Sequence, residues 1–173
     1  MKIGIDARLI NETGVGRYIR NLITELGKID RTNSYVVFFR KAAYSGFELP
    51  NARWEKRLAD VPWHSVAEQI FMPAIFNREK LDVLHVPYFN VPIFYFGKFI
   101  VTIHDLTILH FDTGKATTLP YLFYKIRRWG YSLSLLKALF WSEKVIAVSK
   151  STKQELLDHF DVLQEHIVII YEG

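Results

Sequence analysis

The 173-residue chain contains no cysteine, so disulfides, a thiolate nucleophile and Cys-based zinc sites are excluded together. It has no Gly-Lys-Ser or Gly-Lys-Thr, which removes the P-loop phosphate cradle, and no Gly-x-Ser-x-Gly, which removes the nucleophile elbow of an α/β hydrolase. Long apolar runs are also missing. The longest, Val91 to Ile103, is about 13 residues and includes Gly97 and Lys98, where roughly 20 are needed to cross hydrocarbon. Asp6 and Arg8 interrupt the first apolar stretch, leaving no continuous core for a signal peptide. These absences lead to the expectation of a cytoplasmic protein.

Negative charge is missing from one region. Between Asp112 and Glu143 stand Lys115, Lys125, Arg127, Arg128 and Lys137 with no acidic residue. The whole chain has 22 basic and 18 acidic residues, so without these five the count is 17 against 18 and the excess forms a single patch. A basic, aliphatic-rich helix there would suit an anionic membrane surface, or would be an ordinary solvated face. It resembles no standard nucleic-acid module, and no nucleic-acid partner is expected.

Half of the residues are hydrophobic, enough for one well-buried core. Lys2 to Ala7, Tyr35 to Phe39, Ala52 to Leu58, Leu81 to Val86, Phe99 to Ile103, Lys144 to Val148 and Ile167 to Tyr171 read as strands. Helical spacing begins at Val15, spans Pro62 to Asn77 with a break near Pro73, and recurs from Leu119. There Leu122, Phe123, Ile126, Trp129, Leu133, Leu136 and Phe140 mark the apolar face. Ser149 caps a helix reaching about Phe160. Strands alternating with helices predict a doubly wound, mainly parallel α/β sheet. The chain stops on a strand with no covering helix, which leads to the expectation of a domain from something longer.

In such a sheet ligands bind beyond the carboxyl ends of the strands. Gly14-Val15-Gly16 lies there and opens a helix, so backbone N–H groups could meet a phosphate or carboxylate, with Arg17 adding a charged contact; the alternative is a turn needed only to start the helix. A dinucleotide fingerprint is disfavoured, because Ile19 takes the third glycine position and the second strand ends in Phe39-Arg40. His104-Asp105 ends a buried strand, a pairing suited to proton handling, to gripping sugar hydroxyls, or to a purely structural bond. His85 is expected to pack inside its strand. His104 and His110 lack metal-ligand spacing, so no metal is expected. Most of Tyr88, Phe89, Phe94, Tyr95, Phe96 and Phe99 are expected to pack in the core around a loop.

Five segments in order, Lys2 to Arg8, Gly14 to Tyr18, His85 to Asn90, Thr102 to Leu106 and Val145 to Ser149, resemble the N-terminal domain of family 4 glycosyltransferases, the group-1 enzymes of GT-B fold. The resemblance implies two Rossmann-like domains facing across a cleft. Residues 1–173 would be the N-terminal acceptor-binding domain, with the C-terminal nucleotide-sugar domain absent from this chain. It further implies transfer with retention of configuration, a nucleotide-sugar as substrate, and no metal or other cofactor. Gly14 and Gly16 would lie against the donor diphosphate or the acceptor, assisted by Arg17. His104 would reach the transferred sugar, oriented by Asp105. Tyr88 and Asn90 would line the acceptor side, and Ser149 the cleft edge.

The family carries two glutamates separated by seven residues in its second domain, and here no glutamate has another eight positions later. The chain alone is therefore expected not to turn over. The expected parent is a hexosyl- or mannosyl-type transferase of surface-polysaccharide or glycolipid assembly. It would act on a glycan or lipid-linked acceptor and sit peripherally at the inner membrane face. The rival reading is a stand-alone, non-catalytic α/β module that binds an anionic or sugar ligand.

Overall fold

A computed structural model describes residues 1–106 and 121–172, with the side chains of 121–128 outside the description. Seven strands form one parallel sheet: β1 (Lys2–Asp6), β2 (Ser34–Phe39), β3 (Trp54–Leu58), β4 (Val83–Val86), β5 (Phe99–Ile103), β6 (Lys144–Ala147) and β7 (Ile167–Ile169). Their order is β3-β2-β1-β4-β5-β6-β7, and every pairing is parallel. Among the described residues five α-helices accompany them: α1 (Gly14–Ile29), α2 (Lys41–Tyr44), α3 (Val66–Arg78), α4 (Tyr121–Trp141) and α5 (Lys150–His159).

A parallel sheet covered on both faces needs strands that are apolar on both sides, and β2 meets that demand with Tyr35 to Phe39 all buried. Alternate residues serve opposite cores. Tyr35, Val37 and Phe39 join Ile19 and Ile23 of α1, whereas Val36 and Phe38 join Met72 and Phe76 of α3. Each such side chain contributes about 1.5–3 kcal/mol on burial. Helix α3 runs through Pro73 without breaking, because Met72, Pro73 and Phe76 are buried together and that packing offsets the lost backbone bond.

Helix α4 buries a different face from the one its spacing indicates. Leu135, Ala138 and Leu139 enter the core, while Trp129, Leu136, Phe140 and Trp141 are exposed. Lys137 is also buried rather than part of a basic surface. Its ammonium donates to the carbonyls of Ile93 and Tyr95, both at 2.5 Å, and lies 4.8 Å from the Phe96 ring. It thereby fastens residues 87–98, which join β4 to β5 without a helix, onto α4. Of the other expected patch residues, Lys115 and the side chains of Lys125, Arg127 and Arg128 lie outside the described residues, as do those of Leu122, Phe123 and Ile126.

The order in which strands are added reverses at β1, with β2 and β3 laid to one side and β4 to β7 to the other, and the carboxyl ends of the parallel neighbours β1 and β4 open a crevice. Gly16 sets the approach of α1 to its floor, since a Cβ there would stand 2.4 Å from the Ile10 carbonyl oxygen and 3.0 Å from that of Leu9. A Cβ at Gly14 meets nothing within 4 Å. Gly16→Ala should therefore lower stability by about 2 kcal/mol through overpacking against backbone, while Gly14→Ala stays within about 0.5 kcal/mol of the parent. Urea midpoints of the two variants check this, and equal midpoints would contradict the packing role of Gly16.

Candidate functional site

The base of the crevice is a buried ionic cluster. Asp6 ends β1 and, two residues on, Arg8 turns back so that its Nε and Nη2 donate to the Asp6 carboxylate at 2.9 and 2.6 Å. Nη2 also donates to Glu68 at 2.6 Å. Glu68 sits in the first turn of α3, where Ser65 caps the helix by accepting from the Glu68 N–H. The Ser-x-x-Glu spacing is that of a capping box, but the carboxylate turns inward to Arg8 and accepts from the His64 N–H and from Asn90 Nδ2 at 2.8 and 2.5 Å. Burial opposes the Arg8 charge, yet the two carboxylates outweigh it and hold its pKa above the ordinary value. Burial pushes the Glu68 carboxyl up, with Arg8 opposing. A cavity of about 20 Å³ behind Trp63 adjoins the cluster, room for one water.

Above this base lies an open cleft of about 370 Å³. One wall is the β1–α1 loop and first helical turn, with Leu9, Glu12, Thr13, Gly14 and Val15; Trp63 and Tyr88 form another. His104, Asp105 and Glu172 close the third. The His104 imidazole is held on both sides: Nδ1 contacts the Glu172 carboxylate at 2.5 Å, and Nε2 the Pro87 carbonyl at 3.1 Å. The Tyr18 ring packs edge-on at 5.1 Å. The backbone carbonyl of His104 accepts from Thr152 Oγ1 at 3.1 Å, so α5 holds the residue as well. Beneath it, Tyr18 OH and His85 Nε2 meet Thr102 Oγ1 at 3.0 and 2.8 Å. Burial pushes the Tyr88 hydroxyl up to about 12, with Asp105 and Tyr131 adding, so it remains a phenol donor.

The expected site residues separate into groups. Gly14, Tyr88, His104 and Asp105 share the cleft. Asn90 lies behind it on Glu68, Gly16 is buried in the first turn of α1 against the Leu9–Ile10 backbone, and Arg17 is exposed on the helix without lining the cleft. Ser149 caps α5, accepting from the Thr152 N–H at 2.9 Å, and reaches His104 only through Thr152. The carboxylate that orients His104 is Glu172 rather than Asp105, since both ring nitrogens are already engaged by Glu172 and Pro87. Of the aromatic group, Phe89, Tyr95 and Phe99 are buried, whereas Phe94 and Phe96 are exposed.

Trp63, Glu68 and Glu172 carry no local motif for ligand contact. Topology was the available signal, because all three follow the carboxyl end of a strand. Among the described residues no group of three or more His, Asp or Glu side chains is arranged to hold a metal ion. Nor is any described helix long and apolar enough to cross a membrane.

The family model for Glycosyltransferase Family 4 matches residues 13–173. Among solved structures, the apo form of the lipopolysaccharide outer core galactosyltransferase WaaB is similar, with a TM-score of 0.51 and 11% identity. That likeness covers 100% of this chain and 46% of WaaB, so the chain spans about half the length of its structural neighbour. The search of curated proteins found no match.

His85 gives the floor of the site a pH dependence. Burial, with His104 adding, holds its imidazole down to about 4 against an ordinary value of 6.5. Above pH 6.5 neither folded nor unfolded chain protonates it, and its contribution to stability is complete. As pH falls from 6.5 towards 4 the unfolded chain takes up a proton that the folded chain refuses, so stability drops by about 3 kcal/mol. Denaturation at pH 7 and pH 4 should show this loss in the parent and not in His85→Gln. An identical loss in the variant would assign acid sensitivity to other groups.

Proposed function

Because the chain belongs to glycosyltransferase family 4, we propose that it is the acceptor-side domain of a retaining glycosyltransferase, one half of a GT-B enzyme whose other half binds a nucleotide-sugar. The observation that carries this reading is His104, fixed on two sides at the end of β5 and facing the first turn of α1 across an open cleft. Coverage of less than half of WaaB is compatible with a second domain. In the proposed reaction the bond from anomeric carbon to diphosphate breaks, the acceptor oxygen bonds to the same face, and its proton leaves on the departing phosphate. His104 supports the transferred sugar by hydrogen bonding and field. The open backbone at Gly14 and the positive end of α1 face the donor diphosphate or the acceptor. No metal has a role in this reading. The transferred group is a hexosyl or mannosyl unit, and the product belongs to surface-polysaccharide or glycolipid assembly.

The same proposal places the enzyme in the cytoplasm, peripherally on an anionic membrane face beside a lipid-linked acceptor. Two features support it: the acid-free stretch between Asp112 and Glu143, and the exposed Trp129, Leu136, Phe140 and Trp141 on α4. An interfacial helix combines such an apolar stripe with basic flanks. Lys137 is buried; if Lys125, Arg127 and Arg128 face the lipid, their charge is worth on the order of 3 kcal/mol near an anionic bilayer.

In the full-length enzyme His104→Ala should lower the transfer rate by roughly 10²-fold while leaving the fold intact. Near-parental kinetics would return His104 to a structural role. Screened against a panel of nucleotide-sugars, the 173-residue chain alone should show no multiple turnover; turnover with any of them would end the two-domain reading. Sedimentation with vesicles should find binding to anionic but not neutral lipid, weakening as salt rises. Binding to neither lipid would leave α4 a solvated face.

A further inference from the structure

Between β3 and α3 a short turn holds Trp63 at the mouth of the cleft, its side chain about one-third exposed and bordering both the open space and the small cavity behind. The turn is pinned at a strained residue. His64 has φ 54°, a left-handed conformation that residues other than glycine avoid. Its N–H is tied to Glu68 at 2.8 Å, and Glu68 in turn to Arg8. One residue further on, Ser65 Oγ donates to the Pro62 carbonyl at 2.6 Å and closes the turn. Strain sustained by a buried ionic cluster occurs where local geometry serves more than packing. Here it fixes an indole in a place that water reaches.

The charge of the cleft selects what could cover that indole. Its described lining includes Glu12, Asp105 and Glu172 and has no lysine or arginine. Arg8 stands behind the wall, engaged with Asp6 and Glu68. An anionic group entering beside Trp63 meets carboxylates, whereas hydroxyl groups find acceptors in them. A ligand with an apolar C–H face and a hydroxyl rim matches both walls at once.

We propose that Trp63 is the stacking platform for an uncharged sugar ring, which lays one C–H face on the indole while its hydroxyls donate to Glu12 and Asp105. The role of that ring as acceptor rests on the glycosyltransferase reading; its binding does not. The proposal makes the acceptor end a neutral saccharide rather than a sugar phosphate or uronic acid.

Binding can be read on this chain directly from the indole N–H signals of its four tryptophans. Trp63→Phe assigns the Trp63 signal. Methyl glycosides of glucose, galactose and mannose, and the corresponding hexose phosphates, are titrated in parallel. At least one neutral glycoside should shift the Trp63 signal at millimolar concentration, with its phosphate at least about tenfold weaker. Trp63→Ala should weaken that binding about tenfold and Trp63→Phe by less than about threefold. The remaining amide spectrum reports whether each variant is folded, and Trp63→Phe keeps the test available if Trp63→Ala is not.

Equal or tighter binding of the phosphates overturns the proposal. So does a Trp63 signal unmoved by every neutral glycoside, or unchanged affinity in folded Trp63→Ala. An active full-length enzyme whose acceptor KM is unaffected by Trp63→Ala would overturn the platform and leave the glycosyltransferase reading standing. Glycoside binding at Trp63 in an enzyme that transfers nothing would do the reverse.

Discussion

The guanidinium of Arg8 sits out of water between two carboxylates, and the geometry of the cleft depends on it. Withdrawing a charge from solvent carries a penalty of several kcal/mol per ion, so such a cluster persists only when its donors and acceptors are matched. Arg8 binds Asp6 through Nε and Nη2 and Glu68 through Nη2, and Nη1 lies 3.4 Å from the Val61 carbonyl. The second oxygen of Glu68 takes the His64 N–H and the Asn90 amide. One cation thus joins the end of β1, the turn before α3 and the loop after β4. Removing a single partner from such a network is destabilising by about 3–5 kcal/mol, because an uncompensated charge stays buried. The left-handed backbone at His64 and the position of Trp63 are maintained by the same contacts.

A second set of contacts serves His104. Its ring is bounded by Glu172 beyond β7, Pro87 beyond β4 and Tyr18 on α1, and its carbonyl by Thr152 on α5. Groups from so many elements leave the imidazole little rotational freedom, and pre-organisation of that kind lets a side chain act without reorganising. The neutral His85–Thr102–Tyr18 chain beneath it supplies a floor that is polar yet uncharged near neutral pH.

Lys137 shows how a residue that looks like surface charge becomes structural. The loop between β4 and β5 presents unpaired carbonyls at Ile93 and Tyr95, and the lysine on α4 satisfies both. Burial lowers its pKa to about 8, and the two carbonyl dipoles retain the ammonium that fastens the loop. The stretch remains free of acid, but its outward charge is smaller than composition implies.

Local chemistry in the sequence determined the element types and the end of the sheet where ligands bind. Strands such as Tyr35 to Phe39 and Phe99 to Ile103 are runs of large apolar residues that only a doubly covered sheet can bury. Alternation with helices then required parallel order, which placed Gly14, Tyr88 and His104 at one edge. Tertiary structure alone decided which groups meet there. Glu172 is 68 residues from His104 and Glu68 is 60 from Arg8, separations that leave no periodic trace. Helix α4 is apolar on more than one side, so its own spacing could not choose between Trp129, Leu136 and Phe140 and the buried Leu135, Ala138 and Leu139; the shape of the sheet and the loop held by Lys137 made the choice. At Gly16 the sequence left a ligand contact and a purely structural turn both open, and tertiary structure added the close approach of the Leu9–Ile10 backbone. Short-range preferences set what each segment becomes, and long-range packing and burial of charge set which side chains share a site.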